Sequence, residues 1–282
     1  MEIISRRARI ASVARKLRRE NKTIGFVPTM GALHKGHISL IEQARQMADA
    51  VVVSIFVNPI QFNDKEDFQK YPRDLMADAT ILSEYQVDYI FAPSEEEIYN
   101  EGFSTYVYVE GLSDIFEGAS RPGHFRGVAT IVTILFNLIR PDFAFFGQKD
   151  AQQVAVVKRL TKDLGFDTEI VVMPTVREET GLAMSSRNER LTKEQREKAS
   201  VIYRSLCEAK KAFDSGERNV FVLENLIREE LAKEPLAKID YVAVVENESF
   251  KPLEKITEGT KAIALVAVNF AGVRLIDNLL LS

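Results

Sequence analysis

The sequence predicts an α/β chain, a parallel sheet covered by helices and then a smaller α/β unit with an antiparallel sheet. Three observations carry this. Short apolar runs alternate with segments of helical periodicity, the βαβ rhythm of a sheet buried on both faces. The rhythm stops after Pro174, where residues 176 to 190 are polar and irregular. Beyond them come helices and then strands, the last two runs being separated only by Ala271-Gly272, a hairpin signal.

In chain order, Ile10, Val13, Ala14 and Leu17 recur at helical spacing and make an amphipathic helix. The cluster Arg6, Arg7, Arg9, Arg15, Lys16, Arg18 and Arg19 forms its solvated face. Ile24 to Val27, Ala50 to Val57, Val87 to Phe91, Asp142 to Phe146 and Thr168 to Met173 read as about five parallel strands. Between them, Ile38, Ile41, Ala44 and Ala48 keep helical spacing, as do Val128, Val132, Leu135, Phe136 and Ile139 before Pro141 stops the helix. Thr105 to Val109 alternates and reads as an edge strand. Thr192 and Gln195 form a capping box that opens a long helix to about Ser215. A helix over Val220 to Lys233 and strands at Ile239 to Val245, Ala262 to Phe270 and Val273 to Leu280 complete the chain. The expected organisation is a Rossmann-like nucleotide- and substrate-binding domain over residues 1–175 and a smaller, lid-like domain over 176–282.

The chain has 282 residues, is 46% hydrophobic and carries a formal charge of −4, which suits two modest cores and argues against nucleic acid as a partner. A single cysteine, Cys207, permits no internal disulfide and suggests a reducing compartment. With no run of 18 apolar residues and no signal peptide, the expectation is a cytoplasmic protein without membrane partners.

In an open parallel sheet, ligands bind outside the carboxyl ends of the strands. The loops there are polar: Pro28 to His37, Asn58 to Phe62, Gly147-Gln148-Lys149-Asp150 and Pro174 to Glu178, joined by Met184-Ser185-Ser186-Arg187-Asn188. Two of the chain's three histidines, His34 and His37, fall where a helix begins, and a helix N-terminus favours a polyphosphate. Gly36 between them lets a ligand approach the backbone. Zinc is disfavoured, because the histidine spacing is three, without an intervening Glu, and no third ligand lies near. No Walker-type phosphate loop and no dinucleotide fingerprint occurs.

His34-Lys35-Gly36-His37 resembles the H-x-G-H signature of a nucleotidyltransferase superfamily, and Met184 to Arg187 sits where that superfamily carries its second phosphate loop. More narrowly, five segments taken with these are similar to the pantothenate synthetase (pantoate–β-alanine ligase) family. They are Pro28 to His37, Phe56-Val57-Asn58-Pro59-Ile60-Gln61-Phe62, Tyr71-Pro72-Arg73, Arg121 to Phe125 and Phe146 to Asp150, with Met184 to Asn188 following in order. Lys35 and Ala151 depart from the family's common residues at variable positions.

The resemblance implies ATP-dependent condensation of (R)-pantoate with β-alanine to pantothenate, AMP and pyrophosphate through a pantoyl adenylate, on the route to coenzyme A. It implies ATP as co-substrate, Mg²⁺ and a homodimer. His34, His37, Lys149, Ser185, Ser186 and Arg187 would supply donors around the phosphates, with His37 as proton donor. Met30, Gly31, Ala32, Leu33, Lys35, Gly36, Gly147, Gln148, Asp150, Val176 and Met184 would join them in the nucleotide pocket. Gln61 and Gln153 would bind pantoate, and Asp78 and Asp150 are candidates for the metal. The alternative is another H-x-G-H nucleotidyltransferase, one adenylylating a phosphate acceptor, which would want a basic anchor where this chain offers glutamines. A non-catalytic ATP-binding module would lack turnover, and the intact His, Lys, Ser and Arg set weighs against it.

Overall fold

The structure is a computed structural model that describes residues 1–281. It divides into two compact units, Met1–Gly147 with Val156–Met173, and Gln148–Ala155 with Pro174–Ser282.

The first unit is built on a six-stranded parallel sheet: β1 (Glu2–Ile4), β2 (Ile24–Thr29), β3 (Ala50–Ile55), β4 (Tyr89–Phe91), β5 (Phe143–Gly147) and β6 (Glu169–Met173). Their order is β1-β4-β3-β2-β5-β6, so the chain runs one way from β2 and then returns to add β5 on its other side. This reversal lies between β2 and β5, paired at Gly25 with Phe143 and Phe26 with Ala144, and it is where an open sheet leaves a crevice for ligands. The five strands expected from apolar runs are all present. β1 adds a sixth, because three residues too short to register as a strand pair with Tyr89, Ile90 and Phe91.

Helices Arg7–Arg19, Lys35–Met47, Leu75–Glu84 and His124–Ile139 serve this sheet. The basic helix buries Ile10, Val13, Ala14 and Leu17, the four positions its periodicity singles out. Leu40, Ile41 and Ala44 of the second helix pack with Val27, Val51, Val53, Leu82 and Ile90 into one apolar cluster. Burying each larger side chain contributes about 1.5–3 kcal/mol.

Thr105 to Val109 is not a strand. Val107 donates its N–H to Thr130 Oγ1 at 3.0 Å, so a side chain of the helix His124–Ile139 takes the bond a sheet partner would need.

The second unit carries an antiparallel sheet, β7 (Ala237–Glu246), β8 (Ala262–Phe270) and β9 (Val273–Leu281), in that order. Ala271 and Gly272 both have positive φ and turn β8 into β9, as the hairpin signal requires. Helices Val201–Asp214 and Val220–Ala232 cover the sheet through Ile202, Leu206, Leu223 and Ile227, packed with Val242, Val244, Val266 and Val268. The expected capping box is formed: Gln195 donates its N–H to Thr192 Oγ1, and Thr192 donates its N–H to Gln195 Oε1. The long helix it opens is interrupted, however, into Lys193–Lys198 and Val201–Asp214. Bonds from Ser200 N to Glu197 O and from Ile202 N to Ala199 O tighten the turn between them.

Candidate active site

In the first unit, Gly31 and Ala32 both have positive φ as the chain leaves β2. Three successive N–H groups of this turn are then taken by buried side chains. Gly31 donates to Thr29 Oγ1 at 3.2 Å, Ala32 to Asp78 Oδ2 at 3.1 Å and Leu33 to Asp78 Oδ1 at 3.0 Å. A Cβ on Gly31 would stand 2.7 Å from Asp78 Oδ2, so a side chain there is excluded twice over. Asp78, weighed above for the metal, spends both oxygens on this turn.

His34 is the N-cap of the helix Lys35–Met47. Its Nδ1 accepts the Gly36 N–H at 3.1 Å, while His37 Nδ1 accepts the His34 N–H at 3.3 Å. The result is a capping box made of two imidazoles, with ring centroids 4.1 Å apart. Because each Nδ1 is an acceptor, the neutral rings carry their proton on Nε2, the atom presented as donor.

Gln61 is buried in the short turn Pro59–Gln61 and donates from Nε2 to Met30 Sδ at 3.0 Å, so the structure brings these two predicted residues together. Its other end is held by Asn58, 1% exposed, whose Nδ2 donates to Gln61 Oε1 at 3.0 Å and to Gly127 O at 3.1 Å. Tyr99 completes the set by donating its hydroxyl to Asn58 Oδ1 at 2.7 Å. The close approach depends on Gly127, where a Cβ would meet Gln61 N at 2.6 Å. Behind Gln61, its carbonyl lies 2.8 Å from His124 Nδ1, and His124 Nε2 lies 3.3 Å from Arg121 Nη1. Arginine only donates, so His124 accepts on Nε2 and donates from Nδ1. Arg121 and His124 thus act on the Gln61 backbone. Asn58, Tyr99, Gly127 and Asp78 are the residues whose roles sequence reasoning missed. Asn58 stood inside a quoted motif with no role assigned.

In the second unit, Gln148–Asp150 forms a 3₁₀ turn that leads into the helix Ala151–Asp163. Lys149 Nζ lies 3.6 Å from Asp150 Oδ1, which engages the other carboxylate weighed for the metal. Lys149 lies in the 3₁₀ turn and Gln153 in the first turn of the α-helix that follows it. Val176 and Met184 are joined by a bond from Met184 N to Val176 O at 3.0 Å, within a turn bridged by Arg177 and Ala183. Ser185 caps the 3₁₀ turn Ser186–Arg190 by accepting the Arg187 N–H at 3.2 Å. Asn188, fully buried, ties that turn to its neighbour by donating to Glu178 Oε1 and to Ala183 O. Val176, Met184, Ser185, Ser186 and Arg187 therefore belong to one cross-linked pair of turns.

Among the described residues, no group of three His, Cys, Asp or Glu is placed to hold a metal ion, and no helix is long and apolar enough to cross a membrane.

Comparison with known proteins matches residues 2–280 to the family described as pantoate-beta-alanine ligase. A pantothenate synthetase of Carboxydothermus hydrogenoformans is 54% identical over 265 residues, covering 94% of this chain and 93% of its own. Another, from Thermosipho africanus, is 48% identical over 281 residues and covers both chains fully. Among solved structures, a Thermus thermophilus pantothenate synthetase aligns with a TM-score of 0.92 at 47% identity, over 99% of each chain. A Francisella tularensis pantoate-beta-alanine ligase, complexed with beta-gamma ATP and beta-alanine, aligns with a TM-score of 0.81 at 39% identity, over 99% of this chain and 97% of its own.

Proposed function

From the premise that this chain belongs to the pantoate–β-alanine ligase family, we propose that it joins pantoate to β-alanine with ATP in two steps, through a pantoyl adenylate and with release of pyrophosphate and then AMP. The first step needs no activating base. A pantoate carboxylate is already ionised at neutral pH and attacks the α-phosphorus directly, so the enzyme works by alignment and by donors aimed at developing charge.

The observation that carries this step is the pair of imidazoles with Nδ1 committed to backbone N–H groups. Both rings then hold an Nε2–H for phosphate oxygens, and loss of one such donor costs about a hundredfold in rate. Lys149 and Arg187 supply the charge-assisted bonds, with Ser185 and Ser186 as neutral donors. Val176 and Met184 line the place of the nucleobase. Gln61, its amide oxygen held by Asn58 and one Nε2 hydrogen by Met30 Sδ, donates its other hydrogen to the pantoate oxygens, and Gln153 shares that task.

In the second step the neutral amine of β-alanine attacks the acyl carbon. A carbon–nitrogen bond forms, the bond from acyl carbon to phosphate oxygen breaks, AMP leaves with the electron pair, and the amine loses a proton. Water would compete for the same acyl phosphate, and a water-excluding role for residues 176–282 belongs to this proposal.

Mg²⁺ would compensate phosphate charge. With Asp78 engaged by two N–H groups and Asp150 beside Lys149, the donors here fit an ion carried in on the phosphates and not one caged by protein. We further infer a cytoplasmic homodimer, two-fold dimers being the commonest assemblies.

The test is pyrophosphate release from ATP and Mg²⁺. It should require pantoate, and AMP and pantothenate should appear together only when β-alanine is added. A response to a phosphorylated acceptor in place of pantoate would favour the other nucleotidyltransferase reading.

A further inference from the structure

Resting on the reading that Lys149 meets the phosphates of ATP, we propose that Asn278 on the last strand is a positioning residue for Lys149. Asn278 is 3% exposed and 130 positions along the chain from Gln148, yet it uses its whole amide on the turn that carries the lysine. Nδ2 donates to Gln148 O at 2.9 Å and to Lys149 O at 2.9 Å, while Oδ1 accepts from Gln148 Nε2 at 3.2 Å. The two carbonyls can only accept, so they fix which end of the Asn278 amide is nitrogen.

The two carbonyl oxygens belong to the peptide planes on either side of the Lys149 Cα. Holding both planes fixes φ and ψ of Lys149, and so the direction in which its side chain leaves the backbone. A helix start held only by its own hydrogen bonds would fray.

Asn278 is itself braced. Its N–H donates to Asp277 Oδ1 at 2.8 Å. Asp277, also 3% exposed, takes both Nη1 and Nη2 of Arg177, at 2.6 and 3.0 Å. Arg177 in turn donates to Gly181 O and stacks 3.7 Å above the Tyr203 ring. β9 therefore pins both the Lys149 turn and the turn that begins at Val176. An Asn at 278 is needed here because it supplies two hydrogens from one atom, which neither Asp nor Ser does.

A purely structural role would also make Asn278 costly to replace, so the test separates stability from aim. Asn278→Ala, Asn278→Ser and the core variant Leu275→Ala, which removes a buried side chain of the same strand, are compared by thermal melting, by calorimetric ATP affinity well below each melting point, and by steady-state kinetics. ATP affinity should weaken about tenfold or more in Asn278→Ala, with KM for pantoate unmoved, because a small misplacement of an aligning group is costly. Leu275→Ala should lose stability while keeping its ATP affinity. In a Lys149→Ala background, Asn278→Ala should add little, since it acts through the lysine. Normal ATP affinity in a folded Asn278→Ala or Asn278→Ser, or losses that simply add to those of Lys149→Ala, overturns the proposal. Failure of the unchanged chain to bind ATP is a separate result that removes the functional reading and this one with it.

Discussion

Asn58 Nδ2 lies 3.0 Å from Gln61 Oε1, and that bond decides which end of the Gln61 amide is the donor. The polarity is set by the Gly127 carbonyl, which can only accept and therefore makes the neighbouring Asn58 atom the nitrogen. Tyr99 must then donate to Asn58 Oδ1, and Gln61 Nε2, with one hydrogen on Met30 Sδ, keeps its second as a donor. Asn58→Asp puts an acceptor against two acceptors and should lower kcat/KM for pantoate by about a hundredfold, with ATP affinity kept. Tyr99→Phe, which retains the ring against Phe56 and Phe103, should do the same more mildly. Kinetics with pantoate varied at saturating ATP reads both.

Burial pushes the Tyr99 hydroxyl well above the ordinary tyrosine range, with Glu95 adding to the effect. A group whose pKa is raised in the fold stabilises fully below its unfolded value, near 10, and loses that contribution as pH climbs through the folded value. Among the eight tyrosines, Tyr99 should thus titrate late, together with Tyr108 and Tyr203, which are raised by their own hydrogen bonds, and the late-titrating fraction should be smaller in Tyr99→Phe. Ultraviolet titration detects it. Alkaline stability should fall less steeply in the variant.

Asp78 is 4% exposed and accepts from two consecutive N–H groups of the turn that follows β2. Asp78→Ala leaves two part-buried donors without this partner, a loss of up to about 1–3 kcal/mol for each. Denaturant unfolding measures it, and KM for ATP should rise. Asp78→Asn keeps one acceptor, and the Mg²⁺ concentration giving half-maximal activity should be unchanged in it. A raised Mg²⁺ requirement would make Asp78 a metal ligand after all.

His37→Ala and Lys149→Ala should each cut adenylation by on the order of a hundredfold or more with secondary structure kept, melting near wild type in Lys149→Ala and modestly lower in His37→Ala, which loses half of the capping box. Single-turnover pyrophosphate release separates this from effects on the amine step. A folded Lys149→Ala with normal turnover would remove that residue from the mechanism.

The central sheet was legible because its inner strands, β2 and β3 above all, are short apolar runs buried on both faces, and β6 shows the same apolar run though it is only partly buried. β1 was not, since Glu2–Ile4 owes its strand geometry to pairing with Tyr89 to Phe91, a tertiary fact. Thr105 to Val109 misled through alternation whose N–H goes to Thr130. Polar residue types on strand-end loops pointed to the chemistry. The supports behind them left no local signal. Asp78, Tyr99 and Asn278 act across 41 to 130 positions, and only folding shows what each holds. Gly31 and Gly127 are similar, being required by contacts with Asp78 and Gln61.

The central claim is that pantoate is activated as an acyl adenylate. Pantoate carrying ¹⁸O in both carboxylate oxygens, turned over with ATP and β-alanine, should pass one labelled oxygen to the phosphate of AMP and keep the other in the pantothenate amide. Mass spectrometry of AMP reads the outcome directly. AMP bearing one ¹⁸O is the predicted result, and unlabelled AMP formed alongside pantothenate would contradict the account.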